Sequence, residues 1–183
     1  MRFSATTLAG VVLVDPEPKE DQRGFFARTF CRQEFRANGL MDHIEQSSVS
    51  SNRRRGTLRG MHFQAAPHAE TKLVACIQGR IFDVAVDVRQ DSRTFGQWFG
   101  IELTAENRRM LYLPTGIAHG FQTIEDASVV SYQISEVFHP ESARGIRWND
   151  PSVAIRWPIP DDPIISERDR AWPDWPPTPA GSP

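Results

Sequence analysis

The sequence predicts an all-β fold, a sandwich or barrel of about ten short strands, and three observations predict it. Apolar and polar residues alternate with period two through the middle of the chain, as half-buried strands require. Twelve glycines and fourteen prolines cut the chain into short runs. Helical signals are few and brief, so helices can only decorate such a fold.

Each element has its own reason. Residues 8–14 are apolar up to Asp15-Pro16 and read as a strand rather than a leader, since no small-residue cleavage pattern follows. Residues 31–38 read as a short helix stopped by Gly39. Residues 73–77 and 80–88 flank Gln78-Gly79 and read as a hairpin. In its second arm Phe82, Val84, Val86 and Val88 form the core face, with Asp83, Ala85 and Asp87 on a polar face. Residues 97–103, 110–113 and 128–134 follow as strands. Ser166 before Glu-Arg-Asp opens one helical turn. Residues 1–172 are read as one domain and 173–183 as a proline-rich tail that can form neither helix nor central strand.

Composition narrows the functions. A chain of 183 residues, 39% hydrophobic and 24% charged, suits one globular domain with a sizeable core. Twenty-one basic and twenty-three acidic side chains leave a charge of −2, which argues against a nucleic-acid or membrane-surface partner. Cys31 and Cys76 make no disulfide framework and no metal-ligand spacing, so a cytoplasmic location is expected. No apolar run approaches the roughly 18 to 20 residues that span a bilayer.

Chemistry concentrates in two segments. In Gly56-Thr-Leu-Arg-Gly-Met-His-Phe-Gln64, strand spacing puts His62 and Gln64 on one face and Met61 and Phe63 on the other. In Pro114-Thr-Gly-Ile-Ala-His119, a tight turn delivers His119 into the next strand. Lys72 stands in an apolar run of a chain that otherwise uses arginine, apart from Lys19, and by itself reads as a strand-edge lysine facing water or as a place for a compact point charge. The Arg53 to Arg55 triplet is a solvated loop, because consecutive residues cannot all face one ligand.

The spacing Gly56, His62 and then Pro114, Gly116, His119 resembles the two half-motifs of the cupin superfamily, which implies a double-stranded β-helix, the jelly-roll barrel, with a few short helices. Gln64 stands where metal-binding cupins carry a second histidine, leaving His62, Glu70 and His119 as the most that a metal could use.

A closer resemblance covers nearly the whole chain. Asp21-x-Arg-Gly-Phe-Phe26, Gly56 to Gln64, Lys72-Leu-Val, Phe82-Asp-Val-Ala-Val-Asp87, Leu103-Thr-Ala-Glu-Asn107, Pro114 to Phe121, Gly145-Ile-Arg-Trp-x-Asp-Pro151 and Ile165-Ser-Glu-Arg-Asp169 resemble the dTDP-4-dehydrorhamnose 3,5-epimerase family. The resemblance implies a homodimer without cofactor or metal that inverts the carbons beside the ketone of a nucleotide-linked 4-keto-6-deoxyhexose. It implies His62 as base, Asp169 as the partner of its other nitrogen, Lys72 beside the enolate oxygen and Tyr132 as the acid on the opposite face. It assigns Arg23, Arg59 and Arg168 to nucleotide or phosphate, and His119 and Gln46 to the sugar wall. Arg28, Phe138 and Ala143 depart from a glutamate, a tyrosine and a glutamate of familiar members, in contacts to nucleotide and sugar. Inversion at C3 alone, a metal-dependent cupin using His62, Glu70 and His119, and a sugar-nucleotide binder without turnover are the alternatives.

Overall fold

A computed structural model describes residues 1–175. Two antiparallel sheets face each other. The six-stranded sheet runs, edge to edge, β1 (Arg2–Ala5), β2 (Val12–Asp15), β10 (Met110–Leu113), β7 (Lys72–Gln78), β12 (Ser128–Ile134) and β5 (Gln46–Asn52). The five-stranded sheet runs β13 (Ala143–Gly145), β6 (Leu58–Gln64), β11 (Ile117–Thr123), β8 (Arg80–Asp87) and β9 (Trp98–Thr104). A separate hairpin pairs β3 (Lys19–Asp21) with β4 (Gly24–Phe26). The helices among the described residues are α1 (Arg32–Ala37), bounded by Cys31 and Asn38, and α2 (Glu167–Arg170), whose Ser166 Oγ accepts from the Asp169 amide at 3.1 Å.

Alternating side chains divide the apolar residues into layers. Between the sheets, Val74, Leu111 and Val130 meet Ile81, Ala85, Leu103 and Phe121. The back of the five-stranded sheet, with Met61, Val84, Val86 and Ala118, is covered by Ile146, Val153 and Trp157. The back of the six-stranded sheet, with Val14, Leu73, Met110 and Tyr112, is covered by Phe35 of α1. Truncating a buried phenylalanine such as Phe35 costs about 3 to 5 kcal/mol, enough to explain why so short a helix holds its place.

Three sequence expectations are corrected. The strand at 8–14 is instead a hairpin of β1 and β2, with Leu8 and Val11 buried in the turn between them. The hairpin across Gln78-Gly79 is a corner: β7 pairs with β10 and β12, whereas β8 pairs with β11 and β9 in the other sheet. Gly79 turns this corner at φ 72°, where an added Cβ would stand 2.6 Å from Ser128 Oγ. Finally, the Asp83, Ala85, Asp87 face does not meet water. It lines the space between the sheets, and all three residues are fully buried, because the C-terminal segment supplies a second apolar layer for the opposite face.

Residues 173–175 run along the surface: the Arg147 amide donates to the Pro173 carbonyl at 3.3 Å, and the Trp175 amide to Asp150 Oδ2 at 2.6 Å. The rest of the expected tail, 176–183, lies outside the described residues. No helix among the described residues is long and apolar enough to cross a membrane.

Candidate active site

A cavity of about 430 Å³ opens between the sheets. Its two walls come from opposite sheets. β6 and β11 lie side by side in the five-stranded wall, with His62 and His119 as direct cross-strand partners. Gly60 permits this approach, since a Cβ there would stand 2.5 Å from the Gly120 Cα. The facing wall contributes Lys72 from β7, Tyr132 from β12, and Ser48 and Ser50 from β5.

Both histidines carry carboxylate partners. His62 Nε2 lies 2.7 Å from Asp169 Oδ1, while the Gly60 amide donates to Oδ2 at 3.4 Å. Burial by itself would raise the Asp169 carboxyl. The hydrogen bond and charge of His62, with the Gly60 amide, outweigh it and hold the group below its usual value. An imidazole paired in this way through one nitrogen is held in orientation and can take a proton on the other. His119 Nε2 lies 2.7 Å from Asp83 Oδ1, and both residues are buried.

Lys72 Nζ sits 2.7 Å from Glu70 Oε1 and donates to the His62 carbonyl oxygen at 3.2 Å. That fixes an ammonium at the cavity wall, where it can meet a developing oxyanion. Tyr132 packs edge-on against His119, ring centroids 5.9 Å apart. Burial pushes its hydroxyl far up, assisted by the Asp83 charge and opposed by Arg59, so the phenol stays protonated at neutral pH. Arg59 is aimed by a 2.8 Å bond from its Nε to Asn52 Oδ1. Arg168 lies over the Trp172 ring, 5.7 Å from its centroid.

The cavity therefore brings together His62, Lys72, Tyr132, Asp169, Arg59, His119, Phe138 and Arg168, with Ala143 beside them. Gln46 begins the strand that carries Ser48 and Ser50 but is not part of the lining. Arg23 and Arg28 lie elsewhere: Arg23 binds Asp21 in the β3–β4 hairpin at 2.6 Å, and Arg28 binds Glu34 at 3.0 Å. Arg144 and Trp172 also line the cavity, unanticipated from sequence. Trp172 closes the segment read as the domain, and the contact of its ring with Gly145, which leaves no room for a Cβ, is invisible in one dimension.

A metal held by His62, Glu70 and His119 is not what the cavity presents. Among the described residues, the group whose ligand atoms converge is His68, His139 and Glu141. His62 and His119 each engage an aspartate, and Glu70 holds Lys72.

The family model for dTDP-4-dehydrorhamnose 3,5-epimerase matches residues 5–176. The epimerase of that name from Methanothermobacter thermautotrophicus is 46% identical over 173 residues, covering 93% of this chain and 92% of the relative. The crystal structure of the Elizabethkingia anophelis enzyme of that name superposes with a TM-score of 0.92 at 39% identity, covering 96% of each chain. The Bacillus anthracis enzyme, solved with TDP and PPi bound, gives 0.91 at 39% identity, covering 94% of this chain and 98% of that one. The two facing sheets are thus the cupin-type double-stranded β-helix. With sequence and fold matching over nearly the full length, the chain belongs to the dTDP-4-dehydrorhamnose 3,5-epimerase family.

Proposed function

We propose that the protein inverts C3 and C5 of dTDP-4-dehydro-6-deoxyglucose, giving dTDP-4-dehydrorhamnose, by proton transfer through an enolate and without a cofactor. The observation that carries this reading is the placement of His62 and Tyr132 on opposite walls of one cavity. Inversion requires a proton to leave one face of the carbon and another to arrive on the opposite face.

A C–H bond beside the C4 ketone breaks as His62 takes the proton, and the electron pair moves onto the ketone oxygen. Asp169 stabilises the resulting imidazolium, and Lys72 the enolate oxygen. Tyr132 then gives its hydroxyl proton to the other face of the carbon, and Arg59 offsets the transient phenolate charge. Solvent takes the proton from His62 and restores the one on Tyr132. Arg59 and Arg168 bind the diphosphate, and His119, backed by Asp83, contacts the sugar.

Arg23 and Arg28 belong to a region that has no counterpart on this chain's own cavity. The β3–β4 hairpin pairs with neither main sheet, and its Phe25 and Phe26 are 53% and 75% exposed. These features support a homodimer in which the hairpin docks on a second copy and Arg23 and Arg28 reach the partner's nucleotide. The free thiols of Cys31 and Cys76 agree with a cytoplasmic location.

The test is an NMR time course in deuterium oxide with dTDP-4-keto-6-deoxyglucose and excess chelator. Loss of both the C3 and C5 proton signals, abolished by His62→Asn, is the expected result. Loss at C3 alone makes the protein a mono-epimerase, and retention of both signals overturns the reading.

A further inference from the structure

Outside the proton-transfer groups, one cluster of side chains is unexplained. His68, in the loop between β6 and β7, and His139, just before the Pro140–Ser142 turn, stack face to face with ring centroids 3.5 Å apart at 10°. Glu141 joins them, its Oε1 3.0 Å from His139 Nδ1. One ligand atom from each residue lies within 4.8 Å of the other two.

The scaffold beneath them is built. Buried Gln64 donates to the carbonyls of His68 and Val137, each at 3.1 Å, and accepts from the His139 amide at 2.6 Å. Buried Ser142 lies 2.9 Å from His68 Nδ1 through its Oγ and fixes that ring. Such outer contacts orient histidine ligands. Neither loop can move far while Gln64 joins both.

We propose that His68, His139 and Glu141 bind one divalent ion of the zinc class at the rim of the cavity, apart from the residues that move protons. Two imidazoles and a carboxylate suit Zn²⁺, Ni²⁺ or Cu²⁺ and not Mg²⁺ or Ca²⁺. Metal–nitrogen bonds of about 2.1 Å place tetrahedral ligand atoms roughly 3.4 Å apart, so the two rings, now nearly parallel, must swing about their side-chain bonds until both nitrogen lone pairs point at one ion. Water completes the shell. Because Glu70 and Phe138 flank the two histidines and line the cavity, a bound ion ties together both loops that frame its mouth.

Titration of the full, tag-free chain with zinc chloride in competition with a chromophoric chelator tests this. One equivalent is expected to bind. His68→Ala and His139→Gln are each expected to weaken it by about 30-fold or more and Glu141→Gln by about 10-fold, with unchanged melting in the absence of zinc. His62→Asn should leave binding intact. Equal binding by the histidine variants, loss in His62→Asn, or no binding below 100 μM zinc (on the order of −5.5 kcal/mol) would overturn the proposal.

Discussion

His62–Asp169 and His119–Asp83 are chemically the same pair, each with an imidazole nitrogen 2.7 Å from a carboxylate oxygen, and they sit on neighbouring strands. Their surroundings differ. The His62 side chain is 42% exposed against 9% for Asp169, whereas His119 and Asp83 are 5% and 0% exposed. The sources of the carboxylates differ as well. Asp83 comes from the adjacent strand β8, but Asp169 comes from α2, 107 residues along the chain from His62. A pair opening on the cavity can exchange a proton with a substrate and then with water. The enclosed pair cannot do so cheaply, and it serves as a fixed polar floor whose main burden is its own desolvation.

Four experiments sharpen or break this contrast. The largest effect belongs to His62→Asn, which keeps a donor for Asp169 but removes the base. Turnover should fall about 10³-fold with little change in melting temperature, and deuterium exchange within tenfold of wild type would erase the distinction. Next, Asp83→Ala strands a buried imidazole and should cost about 3 kcal/mol in urea unfolding. Asp169→Ala, beside a partly solvated histidine, should cost under about 1 kcal/mol while still lowering turnover. If the two costs are equal, exposure does not separate the pairs.

Tyr132→Phe should slow epimer formation about 100-fold while substrate deuteration at C3 continues, because proton removal uses the opposite wall. Parallel loss of both would place Tyr132 in the first step. The smallest effect concerns pH. Asp87, on the same strand face as Asp83, is held at about 2, because hydrogen bonds from Arg89, Ser92 and Thr94 overcome its burial. A carboxyl depressed in the folded state stabilises above its unfolded value of 3.8 and loses that contribution as pH falls toward 2. Asp87→Asn should therefore remove about 2 kcal/mol at pH 7 and flatten the acid limb of the stability curve between pH 4 and pH 2. An unchanged acid limb would show that Asp87 is not the group responsible.

Much of this protein could be read in one dimension. Period-two alternation locates β8, β9, β10 and β12, Gly39 ends α1, and Ser166 starts α2, since each rests on interactions within a few residues. The serine-rich strand β5 shows no such alternation, so the sequence does not mark it. Spacing puts His62 and His119 on rigid strands, and family resemblance adds Lys72, Tyr132 and Asp169 with their roles. Which residues share a cavity is a different kind of fact. Gly79 reads locally as a hairpin turn, yet the chain passes there from one sheet to the other, because the strands that pair with β7 and β8 arrive later in the sequence. The same crossing turns Asp83 and Asp87 inward, a placement that alternation cannot distinguish from exposure to water. Local sequence thus determined most of the strands, where the chain turns and the chemical character of the candidate groups, which depend on near neighbours. Only the tertiary structure decided which faces are interior, which carboxylate meets which histidine, and that Arg23 and Arg28 stand apart from the cavity, because long-range packing selects those partners.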